Sequence, residues 1–139
     1  MDKPYSESCE QNREPILAVL REAFADRDYV LEIGSGTGQH AVYFGAMLPH
    51  LRWQTGDMAL YHPGIRLWLD EAALPNVLPP IALDVNQIGW RNGRYDAVFS
   101  ANTLHIMSWP EVEKCFDGIA DVLEPEGVLA IYGPFNYNG

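Results

Sequence analysis

Apolar positions follow two different spacings along this chain, so the sequence predicts strands and helices in alternation. Between the apolar runs, hydrophobic residues recur at intervals of three and four, which is the spacing of one helix face. Alternation of this kind is typical of an α/β fold, in which a parallel sheet is covered by helices on both faces. The predicted strands lie at residues 30–33, 52–55, 81–83, within 95–105, and at 128–132.

The helices are predicted between these strands. The first covers about residues 12–25, with Pro15 in its first turn, where proline is accepted. Ser108 and Glu111 form a capping-box pattern, which predicts the start of the last helix. The other helices are predicted at 41–48 and 65–72, and the segment 75–80 is predicted to be an extended connector into the third strand.

The run from residue 30 to residue 40 is the most informative part of the sequence. A short apolar strand passes directly into a turn that has glycine at three alternate positions, Gly34, Gly36 and Gly38. Glycine adopts positive φ easily and lets a ligand approach the main chain without a Cβ in the way. At the carboxyl end of a buried strand, such a turn is where open α/β sheets bind nucleotide-like ligands. The alternative is a turn that only shapes a tight strand-to-helix connection.

The glycine spacing separates nucleotide-binding classes. A dinucleotide fingerprint has glycine at its first, third and sixth positions, but Gln39 stands at the sixth position here. A nicotinamide-dependent reductase is therefore disfavoured. The sequence also lacks a P-loop motif here, because no Gly-Lys-Ser/Thr follows the glycine turn. The carboxylate of Glu32 beside the loop would repel a pyrophosphate and would suit a ligand that carries positive charge.

The pattern Glu-x-Gly-x-Gly-x-Gly, from Glu32 to Gly38, resembles motif I of the class I S-adenosyl-L-methionine (SAM)-dependent methyltransferases. The resemblance implies a Rossmann-like three-layer α/β sandwich with parallel strands in the order 3-2-1-4-5. Strands 6 and 7 of that fold have no counterpart in the sequence. The resemblance also implies SAM as cofactor and S-adenosylhomocysteine (SAH) as product. It implies cofactor contacts from Glu32, Gly34, Ser35, Gly36, Thr37 and Gly38.

Acidic residues follow the later strands at the positions that this resemblance requires. Asp57 lies 57 − 38 = 19 residues past Gly38, close to the offset of a ribose-binding acid in nucleotide folds. A carboxylate suits a vicinal diol because its two oxygens can each accept one hydroxyl hydrogen. An ordinary surface-turn aspartate is the alternative. The resemblance further implies cofactor contacts from Met58, from Asp84 and Val85 at the adenine, and from Asn102 at the methionine moiety.

The acceptor side of the site is predicted from the N-terminal segment and from the loop after the fourth strand. The resemblance implies that an N-terminal helix lids the site, which places Tyr5, Asn12 and Arg13 at the acceptor. His105 is the candidate catalytic residue, because a histidine there could take a proton from an acceptor hydroxyl or amine. It could equally hydrogen-bond loop backbone, and both interpretations stay open.

Five segments of the chain, residues 12–16, 38–42, 74–80, 101–106 and 132–135, carry a closer resemblance. In these segments the chain is similar to a small methyltransferase-like family catalogued as domain of unknown function 938, and the resemblance runs from about Tyr5 to Phe135. The resemblance implies methyl transfer to a small-molecule acceptor, or to a protein side chain as the less favoured case. A SAM-binding regulatory or scaffold protein without turnover is the alternative.

The composition of the chain argues against several classes of partner. The chain has 139 residues, 47% of them hydrophobic, enough for a single domain with one core. A net charge of −10 argues against nucleic acid, whose binding depends on Lys and Arg. No apolar run approaches a membrane span and no signal-peptide core is present, so a cytoplasmic location without membrane contact is expected. Cys9 and Cys115 form no metal motif, no metal is expected, and Cys115 is predicted in the core.

The fifth predicted strand, 128–132, would leave an open hydrophobic edge. It contains no lysine or glutamate, and soluble proteins usually cover or charge such an edge. We expect either that residues 1–139 are a C-terminally truncated domain whose natural chain continues, or that a second copy covers the edge in a homodimer. Continuation is favoured, because residues 133–135 match the middle of the family pattern and not its end.

Overall fold

A five-stranded parallel sheet forms the centre of the computed structural model, which describes residues 3–133. The central strand pairs with one neighbour from each half of the chain. The strand order is β3-β2-β1-β4-β5, and the order predicted from the sequence is confirmed. The strands are β1 (Tyr29–Glu32), β2 (Arg52–Asp57), β3 (Val77–Ala82), β4 (Tyr95–Ala101) and β5 (Leu123–Tyr132).

Successive residues of the central strands point to opposite faces of the sheet and build two separate cores. Val30 and Phe99 belong to one core, and Leu31 and Val98 belong to the other. The first core is covered by α1 (Glu7–Ala23) and α2 (Gln39–Met47), with α3 (His62–Ala72) packed beside α2. The second core is covered by α4 (Trp109–Val122).

Helix α1 begins earlier than the sequence predicts. The expected range was about 12–25 with Pro15 in the first turn, whereas Pro15 lies inside a helix that starts at Glu7. The Ser6 side chain accepts a hydrogen bond from the Cys9 N–H at 3.4 Å, and Glu7 lies in the first turn near the positive end of the helix dipole. These capping contacts set the start, and the helix continues through Pro15 without that residue's N–H.

Strand β3 includes residues that the sequence assigns to a connector. The segment 75–80 was predicted to be extended but outside the sheet, and the structure begins the strand at Val77. Pro79 and Pro80 are tolerated because β3 lies at one end of the strand order, where fewer backbone N–H groups are needed for pairing. The pairing register with β2 shifts between Gln54 and Gly56.

Strand β5 also begins earlier than predicted, at Leu123 instead of residue 128. Tyr95 pairs with Leu123 and Ala97 pairs with Val128, so β5 advances five residues while β4 advances two. The segment 124–127 is therefore an irregularity within the strand. Within residues 3–133, β5 pairs only with β4. Continuation of the chain and pairing with a second copy both remain predictions.

Helix α4 begins at the predicted capping box. The Glu111 N–H donates to Ser108 Oγ at 3.3 Å, and the Ser108 N–H donates to Glu111 Oε1 at 3.1 Å. Cys115 is fully buried in the second core, as predicted, and burial raises the pKa of its thiol to about 11. In the described part of the chain, every helix is too short or too polar to cross a bilayer.

Candidate functional site

A cleft of about 610 Å³ opens at the carboxyl ends of β1, β2 and β4. Its floor is the glycine loop, defined here as residues 33–38, and its walls come from the strand ends and from the start of α1. Ligand sites in open α/β sheets lie at this edge. The predicted cofactor residues that line it are Gly34, Ser35, Gly36, Thr37, Asp57, Met58, Asp84, Val85 and Asn102.

The three glycines of the loop have positive φ angles, 79° at Gly34, 60° at Gly36 and 96° at Gly38. A Cβ at Gly34 would meet the Thr103 side chain at 2.5 Å, and a Cβ at Gly38 would meet Ile65 backbone at 3.2 Å. A Cβ at Gly36 would meet nothing within 4 Å. Gly34 and Gly38 are therefore needed for packing, while Gly36 presents bare backbone to the open cleft.

Reciprocal hydrogen bonds hold the glycine loop against β2. The N–H groups of Gly34 and Ser35 donate to the Gly56 carbonyl at 3.0 and 2.9 Å. The Gly56 N–H donates in return to Ser35 Oγ at 2.9 Å. Ser35 Oγ then donates to Glu32 Oε1 at 2.8 Å, so the hydroxyl links the loop to the carboxylate beneath it.

Glu32 lies under the glycine loop with 1% of its surface exposed. Trp53 Nε1 donates to the same oxygen that accepts from Ser35, at 3.1 Å. Burial raises the pKa of Glu32 to about 7, and the hydrogen bonds from Trp53 and Ser35 limit that rise. The sequence predicts that Glu32 contacts the cofactor, whereas the structure places it behind the loop and not among the cleft-lining residues. Its direct contacts are with the residues that support the loop.

Asp57 joins the end of β2 to the glycine loop. Its Oδ2 accepts the Gly36 N–H at 2.8 Å, and its Oδ1 accepts the Met58 N–H at 2.7 Å. Each carboxylate oxygen keeps a further lone pair for another donor. Burial raises the pKa of Asp57, and the two backbone hydrogen bonds oppose that rise. The carboxylate therefore stands beside the bare backbone of Gly36.

Residues after β3 and β4 also line the cleft. Asp84 Oδ1 accepts the Asn86 N–H at 2.9 Å, and Val85 is buried beside it. Asn102 has a left-handed φ of 58°, and its N–H donates to the Tyr132 carbonyl at 2.8 Å, so β5 fixes the turn after β4. The structure thus brings Asp57, Asp84 and Asn102 to one cleft.

The predicted acceptor-side residues of the N-terminal segment lie elsewhere. Among the described residues, Tyr5, Asn12 and Arg13 are not part of the cleft lining. Tyr5 is exposed, Asn12 Oδ1 pairs with His40 Nε2 at 3.1 Å, and the Arg13 guanidinium lies 4.5 Å from the centre of the Tyr43 ring. Because α1 begins at Glu7, the residues that it brings to the cleft are instead Ser6, Ser8 and Cys9.

Other lining residues carry no signal that distinguishes them in the sequence. In the sequence, Tyr61, Ile106 and Met107 look like ordinary hydrophobic residues of loops. Glu111 is recognisable there only as the capping-box residue of α4, although it also lines the cleft. His105 lies in the short 3₁₀ helix Leu104–Ile106, directly after β4. Its side chain lies outside what the structure describes, so its catalytic role remains a prediction. Within residues 3–133, no cluster of His, Cys, Asp or Glu is arranged to hold a metal ion.

This chain is similar to a known protein family and to solved structures with the same architecture. A family model described as "Protein of unknown function (DUF938)" matches residues 3–139. An O-methyltransferase family protein from Burkholderia thailandensis superposes with a TM-score of 0.76 at 20% identity, over 90% of this chain and 39% of that chain. The SAM-dependent methyltransferase SibL, in its apo form, gives 0.77 at 25% identity, over 88% of this chain and 36% of that one.

A third similar structure is coclaurine N-methyltransferase bound to N-methylheliamine and SAH. It gives a TM-score of 0.68 at 16% identity, over 91% of this chain and 38% of that chain. The chain therefore spans less than two fifths of the length of these three structures. These similarities confirm the predicted Rossmann-like class I methyltransferase fold.

Proposed function

The chain belongs to the DUF938 family of proteins of unknown function, and we propose that it is a SAM-dependent methyltransferase acting on a small molecule. The observation that carries the proposal is the bare backbone of Gly36, which faces the cleft beside the Asp57 carboxylate. A Cβ on this residue would occupy the space in front of the loop and would meet no protein atom within 4 Å. The glycine therefore keeps that space free for a ligand.

The residues around the cleft fit the parts of SAM. Asp57 has lone pairs free for the ribose hydroxyls, and Asp84 is the acceptor for the adenine amine, with Val85 as the apolar surface for the ring. The lining residues that the structure describes include these two aspartates and Glu111, and none of them is lysine or arginine. This charge distribution suits a ligand that carries a sulfonium and an ammonium group.

When bound, SAM supplies a methyl group attached to a positively charged sulfur, so its leaving group comes with it. The remaining task of the chain is to hold two reactants in line and to keep water out. Good alignment alone can be worth roughly 7–11 kcal/mol. The cleft volume of about 610 Å³ lies within the range of small-molecule sites, about 300–1,000 Å³. Three similar structures carry methyltransferase names, and this agrees with the proposal.

The proposal is tested in two steps. Calorimetry with SAM, SAH and NADH separates a SAM site from a nicotinamide site, and binding of NADH alone would overturn the proposal. Incubation of the protein and SAM with a metabolite extract then measures SAH accumulation against a heat-inactivated control. SAM binding without SAH accumulation would instead identify a SAM-binding protein without turnover.

Substitution of Asp57 is expected to weaken SAM binding more than substitution of Asp84. Hydrogen bonds to a charged group are worth about 1.5–3 kcal/mol, so Asp57→Ala should raise the SAM Kd by roughly tenfold to a hundredfold. Asp84→Ala should cost less, because one hydrogen bond to the adenine amine is at stake. Calorimetry measures both variants against the parent.

Two further variants test whether a loss of SAM affinity is specific to the Asp57 carboxylate. Asp57→Asn retains one oxygen for the Gly36 N–H and should lie between the parent and Asp57→Ala. Asp70→Ala removes an exposed aspartate of α3 that does not line the cleft and should bind SAM like the parent. If Asp57→Ala also bound SAM like the parent, the ribose would be held elsewhere.

A further inference from the structure

Gln39 is a buried polar residue at the junction of the glycine loop and α2. It is the first residue of the helix, and 4% of its surface is exposed. Burying an amide costs free energy unless its hydrogen bonds are made inside the protein. Nothing in the proposed cofactor contacts uses this side chain, so its position calls for a separate explanation.

The Gln39 amide is fully hydrogen-bonded, mainly to the N-terminal segment. Its Oε1 accepts the Ser6 N–H at 2.5 Å, and its Nε2 donates to the Ser6 carbonyl at 3.2 Å. This two-way contact with one residue's backbone resembles the pairing of a neighbouring strand. Oε1 also accepts the Thr37 hydroxyl at 3.0 Å, and Nε2 also donates to Glu10 Oε1 at 3.1 Å. All donors and acceptor sites of the amide are therefore used.

The same amide joins the two sides of the cleft. Thr37 belongs to the glycine loop and lines the cleft from below. Ser6 caps α1, and Ser6, Ser8 and Cys9 also line the cleft, so residues 6–9 are called the N-terminal cover here. A ligand that packs between the loop and the cover meets both halves of this bridge.

Three other attachments of the N-terminal segment lead away from the glycine loop, whereas the Cys9 thiol also contacts the Thr37 side chain of the loop. Trp68 Nε1 donates to the Pro4 carbonyl at 2.5 Å, and Lys3 Nζ pairs with Glu71 at 2.9 Å, both on α3. The His40 pair with Asn12 holds the second turn of α1 against α2. Unlike these three attachments, the Gln39 amide also contacts a loop residue that lines the cleft.

We propose that Gln39 is a positioning residue that holds the N-terminal cover against the glycine loop, so that release of the bound cofactor requires this bridge to open. The inference rests on the proposed function, because it takes SAM or SAH as the ligand of the cleft. A ligand that contacts the loop stabilises the arrangement in which Thr37 and Ser6 share the Gln39 amide. Opening the bridge separates the cover from the loop and exposes the ligand to solvent.

Two substitutions break the bridge in different ways. Gln39→Glu keeps the size of the side chain but replaces both N–H donors by a carboxylate oxygen, which then faces the Ser6 carbonyl and the Glu10 carboxylate. Gln39→Met keeps the length and removes every hydrogen bond. Glu71→Gln is the matched control, because it weakens an attachment of the same segment that does not contact the loop.

Stopped-flow measurement of SAH dissociation and hydrogen exchange of residues 5–12 test the proposal together. Both Gln39 variants are expected to release SAH about tenfold faster or more, because several hydrogen bonds of the closed arrangement are lost. The Ser6 amide should exchange faster in these variants, and in the parent SAH should slow its exchange. Glu71→Gln should dissociate from SAH like the parent.

The outcomes separate this inference from the proposed function. If the parent binds SAH and the Gln39 variants lose Ser6 protection but release SAH at the parental rate, the inference is overturned and the methyltransferase proposal stands. If SAH leaves the Ser6 exchange of the parent unchanged, the inference is also overturned, and this measurement needs no variant to fold. If the parent binds neither SAM nor SAH, both proposals fail.

Discussion

Replacement of Gly36 by valine is expected to abolish the binding of SAM and SAH while the chain stays folded. The added side chain would project into the cleft, because an ideal Cβ at this position meets no protein atom within 4 Å. The backbone φ of 60° also disfavours a β-branched residue, at a cost of about 1–2 kcal/mol. Calorimetry should show no saturable binding, and circular dichroism should show a folded chain with a modestly lower Tm.

Two further variants separate blocking of the cleft from backbone strain. Gly36→Ala carries the same left-handed strain with one methyl group, so it should weaken binding less than valine does. Asp70→Val adds the same side chain at an exposed residue of α3 that does not line the cleft, and it should bind SAM like the parent. Parental affinity in Gly36→Val would contradict the assignment of the cleft as the cofactor site.

The position of the cleft could be predicted because it rests on local signals, whereas the strand order was predicted from the resemblance to class I methyltransferases. An apolar strand that enters a glycine turn is visible within about ten residues, and parallel strands bring their carboxyl ends to one edge. Asp57 ends β2 and Asp84 follows β3, so this geometry brings both to the cleft even though the strand bounds differ from the predicted ones. The start of β3 was missed because Pro79 and Pro80 argue against a strand unless its place at the edge is known.

The contacts that support the loop could not be predicted, because their partners lie far apart in the chain. Glu32 and Trp53 are separated by 21 residues and meet through the parallel pairing of β1 with β2. Gln39 and Ser6 are separated by 33 residues, and the cap at Ser6 that begins α1 has no glutamate three residues later to indicate it. The sequence therefore predicted residues of the cleft floor, whereas the N-terminal residues that line the cleft, Ser6, Ser8 and Cys9, could not be predicted from it.

The contribution of buried Glu32 to the stability of the chain should fall as the pH rises from about 4.5 to about 7. In this range the unfolded chain has lost the Glu32 proton, whereas the folded chain retains it because burial raises the pKa to about 7. The contribution is fully present below pH 4.5 and is lost as the pH rises through the folded pKa. A shift of this size corresponds to about 3 kcal/mol in the free energy of unfolding.

The pKa shift of His40 changes the stability of the chain in the opposite direction to that of Glu32, over nearly the same pH range. Burial lowers the pKa of its imidazole to about 4, so between about pH 4 and 6.5 the unfolded chain binds a proton that the folded chain does not. This term raises stability with pH by a similar amount, so it masks most of the effect of Glu32 in the parent alone. The comparison must therefore be made with a variant that changes only Glu32.

Glu32→Gln provides that comparison, because its amide oxygen can still accept from Ser35 Oγ and Trp53 Nε1 while its side chain does not ionise. Urea unfolding of both proteins from pH 4.5 to 7.5 gives the difference between their free energies of unfolding. The variant should gain stability relative to the parent by about 3 kcal/mol across this range, and the contribution of His40 cancels. A constant difference for Glu32→Gln would mean that the buried carboxylate is already ionised in the folded chain throughout this range, and that the hydrogen bonds from Ser35 and Trp53 outweigh its desolvation.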